Sequence, residues 1–179
     1  MIYKEIIDDS CISQEGSSIK RHTVKGIVFQ DNKFLMLYSQ ANKDYSFPGG
    51  GVETGETEHD ALKREMIEEC GAEIISINAP FAKILEIYPA FEPDIDLFIR
   101  DTYFFSCRIS DQFTQPKFST SEIVHELRIV WVELDEALQN NQGLLQITNP
   151  PPLRRVIRET FVLEQLKQYP ELYRGNNLD

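Results

Sequence analysis

Cysteine is scarce in this 179-residue chain: Cys11, Cys70 and Cys107 are widely spaced and form no C-x-x-C pair. An odd, scattered set argues against both a disulfide framework and a structural zinc site. Basic charge is short as well. Eighteen Lys and Arg stand against 29 Asp and Glu, for a formal net charge of −11. Non-specific affinity for DNA or RNA comes from cations that neutralise phosphates, so this balance argues against a general binder of nucleic-acid duplexes and against an anionic membrane surface. No apolar run approaches the ~20 residues that cross a bilayer. The amino-terminal MIYKEIIDDS is acidic, has no apolar segment and is not read as a secretory signal. No low-complexity tract and no internal repeat stands out. A soluble cytoplasmic protein is the expectation. If its substrate carries phosphates, positive charge must come from elsewhere, and a divalent cation held by carboxylates would supply it. The acidity serves solubility equally well.

What is present reads as ordinary globular usage, 41% hydrophobic and 26% charged. The length suits one domain over 1–179, with 1–19 as a loosely attached N-terminal extension and a turn at EGSS, 15–18. Thr23–Gln30 and Lys33–Ser39 are rich in β-branched and aromatic residues around Asp31-Asn32, the signature of a hairpin. The Gly-rich YSFPGGGVETGET follows as a loop. Thr57–Cys70 predicts a helix capped by Thr57 and ended by Gly71, with Leu62 and Met66 facing the core. Strands are expected at Glu73–Ile77, Phe81–Tyr88, Thr102–Ile109 and Leu127–Leu134, with a long Pro-containing connection between Tyr88 and Arg100. A short helix is expected at Asp135–Gln139. After Pro150-Pro151-Pro152, a C-terminal helix is expected over Leu153–Gln168, within 151–169. Strands and helices interleave, but hairpin-length loops argue against a purely parallel sheet.

Chemistry concentrates on the helix. Glu65, Glu68 and Glu69 lie at i, i+3 and i+4 and project from one side, where like charges destabilise a helix by a few tenths of a kcal/mol per pair. Convergent carboxylates suit a hard divalent cation. A solvated acidic face paired with Lys63 and Arg64 is the other reading of those three residues alone. The preceding loop adds the decisive spacing: Gly50, Glu56, Arg64, Glu65, Glu68, Glu69 and Gly71 fit G-x5-E-x7-R-E-u-x-E-E-x-G-u. The segment Gly50–Ala72 therefore resembles the Nudix box, with Met66 at one bulky-aliphatic position and a small Ala72 departing from the pattern at the other.

The resemblance implies an α+β fold, a Nudix-like α/β/α sandwich with a mixed central sheet. It implies Mg²⁺, or Mn²⁺, held by Glu65, Glu68, Glu69 and the Gly50 carbonyl, and a brace between Arg64 and Glu56. It further implies hydrolysis of a diphosphate linkage in a small nucleoside-diphosphate derivative, with water as nucleophile. Glu69 is the first candidate for general base; Glu122 and Glu126, just before the Trp131 strand, are candidates outside the box. Tyr45, Phe47, Tyr88 and Phe91 are aromatic candidates for stacking on a nucleobase, or core residues. His22, His59 and His125 share no metal-ligand spacing. A homodimer is common in similar proteins. Two other functions stay open: a non-catalytic ligand-sensing module, and an isomerase on the same fold, which would need a reactive cysteine in a setting that Cys107 does not show.

Overall fold

The computed structural model describes residues 1–11, 16–147, 149 and 153–174. Its spine is the long strand β2 (Ser18–Gln30), which turns at Asp31 and Asn32 into β3 (Lys33–Ser39). Both turn residues have positive φ, 49° and 63°, the left-handed pair that matches the twist of a two-residue hairpin and that Asp and Asn tolerate. Besides β2, strand β3 pairs antiparallel with a two-residue β4 (Tyr45–Ser46) and with β7 (Leu127–Val132). On its other side β2 runs parallel to β6 (Leu97–Phe113), which pairs antiparallel with β5 (Ala72–Pro89). Strand β1 (Ile2–Ile7) closes that edge parallel to β5.

Alternation along β2 divides the core in two. Val24 and Val28 face helix α1 (Glu58–Cys70), where Ala61, Leu62, Met66 and Cys70 pack with Leu35, Leu37 and Phe105. Ile27 faces the opposite way, into Phe34, Phe47, Ile84 and Phe104. That layer is covered by Ala137 and Leu138 of α3 (Leu134–Leu145) and by Val162, Leu163 and Leu166 of α4 (Arg154–Gln168). Burying a side chain such as Leu62 or Met66 contributes about 1.5–3 kcal/mol. The result is the expected α+β arrangement: a mixed sheet between helical layers. Two short helices, α2 (Thr120–Val124) and α5 (Glu171–Arg174), and a 3₁₀ turn at Asp9–Cys11 complete the described elements.

Several expectations are corrected. The N-terminal segment is no loose extension: Ile2–Ile7 is hydrogen-bonded to Ala82–Ile87 as an edge strand. The expected turn at 15–18 falls partly outside the described residues, and Ser18 already belongs to β2. The two strands expected around Asn78-Ala79-Pro80 are one strand, because register shifts on both sides of Pro80 absorb its missing N–H. The long connection after Tyr88 shrinks to residues 90–96. The short helix expected at Asp135–Gln139 extends to Leu145. The Pro150–Pro152 punctuation lies outside the described residues. Among the described residues, no helix is long and apolar enough to cross a membrane.

Candidate active site

Helix α1 owes its ends to the residues flanking it. Thr57 takes an extended conformation, and its hydroxyl accepts the Asp60 N–H at 3.2 Å. Glu58 and Asp60 put negative charge in the first turn. Gly71 stops the helix in the left-handed region, φ 65°, donating its N–H to the Ile67 carbonyl at 2.9 Å. Between these ends the buried Leu62 and Met66 fix the roll of the helix. The departing box position, Ala72, is wholly buried beside Cys70 and Ile74, where the core leaves it no exposure.

The glycine loop runs beside β2 like a short extra strand. Gly26 N–H donates to the Pro48 carbonyl and Val24 N–H to the Gly50 carbonyl, both at 2.9 Å, and Val52 N–H donates to the His22 carbonyl at 3.0 Å. At this close approach a Cβ on Gly49 (φ 127°) would collide with the Val24 carbonyl oxygen, and one on Gly50 would collide with the Glu65 carboxylate. The three box glutamates meet this loop and its brace. Glu65 lies against Gly50, Glu69 accepts the Gly49 N–H, and Glu68 reaches the Arg64 guanidinium at 3.2 Å. Glu69 is buried; the Glu65 side chain is 14% exposed and that of Glu68 46%.

Arg64 fastens loop to helix. Its Nε and Nη2 donate to the two Glu56 oxygens at 2.9 and 3.0 Å, Nη2 also donates to the Gly51 carbonyl at 2.9 Å, and Nη1 donates to Glu65 at 2.7 Å. Contact with Glu56 above all, and then Glu65, raises the Arg64 pKa. The same guanidinium, with a backbone N–H from Glu53, lowers that of Glu56.

Whether these residues suit a divalent cation follows from their donors. Glu65, Glu68, Glu69 and the Gly50 carbonyl offer oxygen only, the chemistry that Mg²⁺ and Mn²⁺ prefer. The Gly50 carbonyl accepts from Val24 and keeps a second lone pair. Glu65 and Glu68 oxygens share one Arg64 nitrogen, so they lie within two hydrogen-bond lengths of each other, with positive charge between them. Among the described residues no three His, Cys, Asp or Glu side chains stand gathered around one point as a ready cage. The carboxylates fit the ion in donor type and placement, provided they turn to it from their present partners.

The remaining candidates are dispersed. Glu126 is exposed at the turn before β7, its backbone in a left-handed conformation (φ 48°). Glu122 lies in α2, and its side chain is outside the described part. Of the two readings left open for Phe47, the structure selects the core: it is wholly buried against Phe104 and offers no face to a ligand. Tyr45 is half-buried, its hydroxyl 3.2 Å from Glu136 and its ring against Tyr38. Tyr88 is buried, stacked on Phe98 with the Arg154 guanidinium over its ring, while Phe91 is 92% exposed. All three cysteines are free and buried. Burial pushes the Cys107 thiol up to about 12, and burial followed by the Glu69 charge raises that of Cys70, so neither is a poised nucleophile.

One feature escaped the sequence. A cavity of about 190 Å³ beside the loop is lined by Arg21, Thr23, Lys25, Gly50, Gly51, Arg100 and Arg158. Its cations come from three separate elements, and the only linear signal was R-x-T-x-K on a strand, which places Arg21, Thr23 and Lys25 on one face. Larger cavities exist, including one of about 510 Å³ at Trp131 and Phe113, but that one shares no residue with the loop.

The family model of the NUDIX domain matches residues 20–157. A curated relative, Nudix hydrolase 4 of Arabidopsis thaliana, is 30% identical over 118 residues. The match covers 66% of this chain and 52% of that protein, so the chain spans about half of its relative's length. In fold the chain is similar to the ORF135 protein of E. coli, with a TM-score of 0.53, 21% identity, and coverage of 83% of this chain and 91% of that one. It is similar also to a NUDIX hydrolase from Nitrosomonas europaea, with a TM-score of 0.52, 17% identity, and coverage of 90% and 97%. An ADP-ribose pyrophosphatase from Streptococcus suis matches with a TM-score of 0.50, 18% identity, and coverage of 82% and 91%. With the box geometry in place and the family model matched over most of its length, the chain belongs to the Nudix family.

Proposed function

We propose that this protein hydrolyses a diphosphate linkage in a small nucleoside-diphosphate-linked substrate: a nucleotide sugar, ADP-ribose, a dinucleoside polyphosphate or a nucleoside triphosphate. The supporting observation is the meeting of the three box glutamates with the glycine loop and its brace: Glu65 lies against Gly50, Glu69 accepts the Gly49 N–H, and Glu68 is joined to Glu65 through Arg64. Glu65, Glu68, Glu69 and the Gly50 carbonyl would hold Mg²⁺, with Mn²⁺ acceptable to the same donors. When bound, the cation neutralises phosphate charge and acidifies a water.

The chain's own groups do the rest. Arg64 and Glu56 keep the loop from drifting away from the helix, which preserves the spacing between Gly50 and the carboxylates. Glu69 is our first choice to take the proton from the attacking water. Its burial keeps its carboxylate away from bulk water, and the Gly49 N–H orients it. Glu122 and Glu126 are second choices, on the strength of their place before β7.

The test is a panel of those nucleotides with Mg²⁺, read as phosphate released after phosphatase coupling. Turnover on at least one compound is expected, with a loss of about 100-fold or more in Glu69→Gln at unchanged circular dichroism, the size general-base removal produces. A silent panel from a folded protein would favour a ligand-sensing module. Full activity in Glu69→Gln would remove the glutamate assignment.

A further inference from the structure

The cavity beside the glycine loop bears a charge opposite to that of the molecule. Cross-strand register puts Arg21 of β2 opposite Arg100 of β6, and Arg100 opposite Glu86 of β5, in one row. From α4, Arg158 reaches the same face, with Nη1 2.6 Å from Glu86 and Nη2 3.0 Å from Glu159. Those two carboxylates offset Arg158. Lys25 donates to a neutral partner, the Gly49 carbonyl. Among the described residues Arg21 and Arg100 form no ion pair, and the buried Arg100 Nε has no hydrogen-bond partner. Four cations against two carboxylates leave an excess of two positive charges in the lining of a 190 Å³ cavity.

Like charges held together at a half-buried site oppose folding unless an anion joins them. Burial first, then the Arg158 charge, lowers the Arg100 pKa, so the cost of this arrangement falls on that residue. The cavity is smaller than the roughly 300 Å³ at which pockets for whole small molecules begin, so it suits one anionic group. Guanidinium forks match the oxygens of a phosphate; a phosphate within a diphosphate linkage carries about one negative charge and a terminal one about −1.5 to −2, and the positive excess here is enough to neutralise either. Its position is also specific. Gly51 forms a β-bridge with Thr23, and its missing Cβ would point at the Arg21 guanidinium 3.6 Å away, whereas that of the neighbouring Gly50 points into the Glu65 carboxylate. Successive residues of an extended segment face opposite ways. A single thickness of backbone therefore separates the carboxylates from the arginines.

We infer that Arg21, Lys25, Arg100 and Arg158 form a phosphoryl-binding subsite on the sheet side of the glycine loop, receiving one phosphate of the substrate while the carboxylates serve the other side. This deepens the hydrolase reading and rests on it for the identity of the substrate, but its binding chemistry is separable. The experiment titrates methylenediphosphonate, a diphosphate that cannot be hydrolysed, into the full chain with metal chelated, by calorimetry. The wild type should bind saturably. Arg100→Gln and Arg21→Gln should each weaken binding at least tenfold, and exposed Lys167→Gln should not change it. Arg100→Gln should melt no lower than the wild type, since it removes a desolvated, repelled charge. Arg21 is exposed, so its variant serves as a folded second test. Equal affinity in both arginine variants, or no wild-type binding without metal, would overturn the subsite. If nucleotide turnover persists alongside that result, the hydrolase reading stands without the subsite. Arginine-dependent binding with a silent nucleotide panel would instead uphold the subsite and remove the hydrolase reading.

Discussion

Arg64 joins the loop and helix of the box through one planar group. Its fork serves Glu56, the Gly51 carbonyl, Glu65 and Glu68 together, and a lysine ammonium on a flexible stem cannot reproduce that geometry. Arg64→Lys keeps the charge yet should lower turnover by roughly 10–100-fold, the usual effect of losing a residue that orients a metal ligand. The check is kinetics at saturating Mg²⁺ beside a melting curve; unchanged turnover would reduce Arg64 to a surface ion pair. The box was legible in sequence because its spacing lies within one loop and one helix. Arg100 and Arg158 were not, because only strand register and the docking of α4 bring them to Arg21. Phe47 stayed open between stacking and core for a related reason: an aromatic beside a glycine loop looks the same in sequence whether its ring points to solvent or, as here, into the core.

At the scale of elements, the hairpin, α1 and α4 were legible from turn chemistry, caps and apolar spacing. The edge strand β1 was not, because a parallel edge pairs with a partner far along the chain and carries weak alternation. Its C-terminal end is held by Asp8, which accepts hydrogen bonds from the Ser10 side chain and backbone and pairs with Arg154 at 2.8 Å at the start of α4. Ser10 first, then Arg154, lowers the Asp8 pKa from 3.8 to about 2. A depressed carboxylate contributes stability above its unfolded pKa and loses it as pH falls through the folded one. Asp8→Asn should therefore be less stable than the wild type above pH ~4, with the gap closing towards pH ~2. Denaturant melts across that range test it. A gap independent of pH would show that the Asp8 charge has no part in holding β1.

At the scale of the whole molecule, a net charge of −11 and a cationic cavity coexist because the glycine loop keeps opposite charges on its two sides. Two effects of added Mg²⁺ then compete for attention: general screening of an acidic surface, and occupation of one site on α1. They separate by mass action. An ion bound only by the folded state adds about 2.7 kcal/mol at 100 times its dissociation constant. For a chain of this length that raises the melting temperature by roughly 5–10 °C. Screening depends on ionic strength alone, so NaCl of equal ionic strength would match it. The expectation is a shift with Mg²⁺ that NaCl does not reproduce, that EDTA reverses and that Glu69→Gln largely abolishes. A shift of equal size in NaCl, or in Glu69→Gln, would mean that the ion acts on the overall charge and that the three glutamates do not hold it.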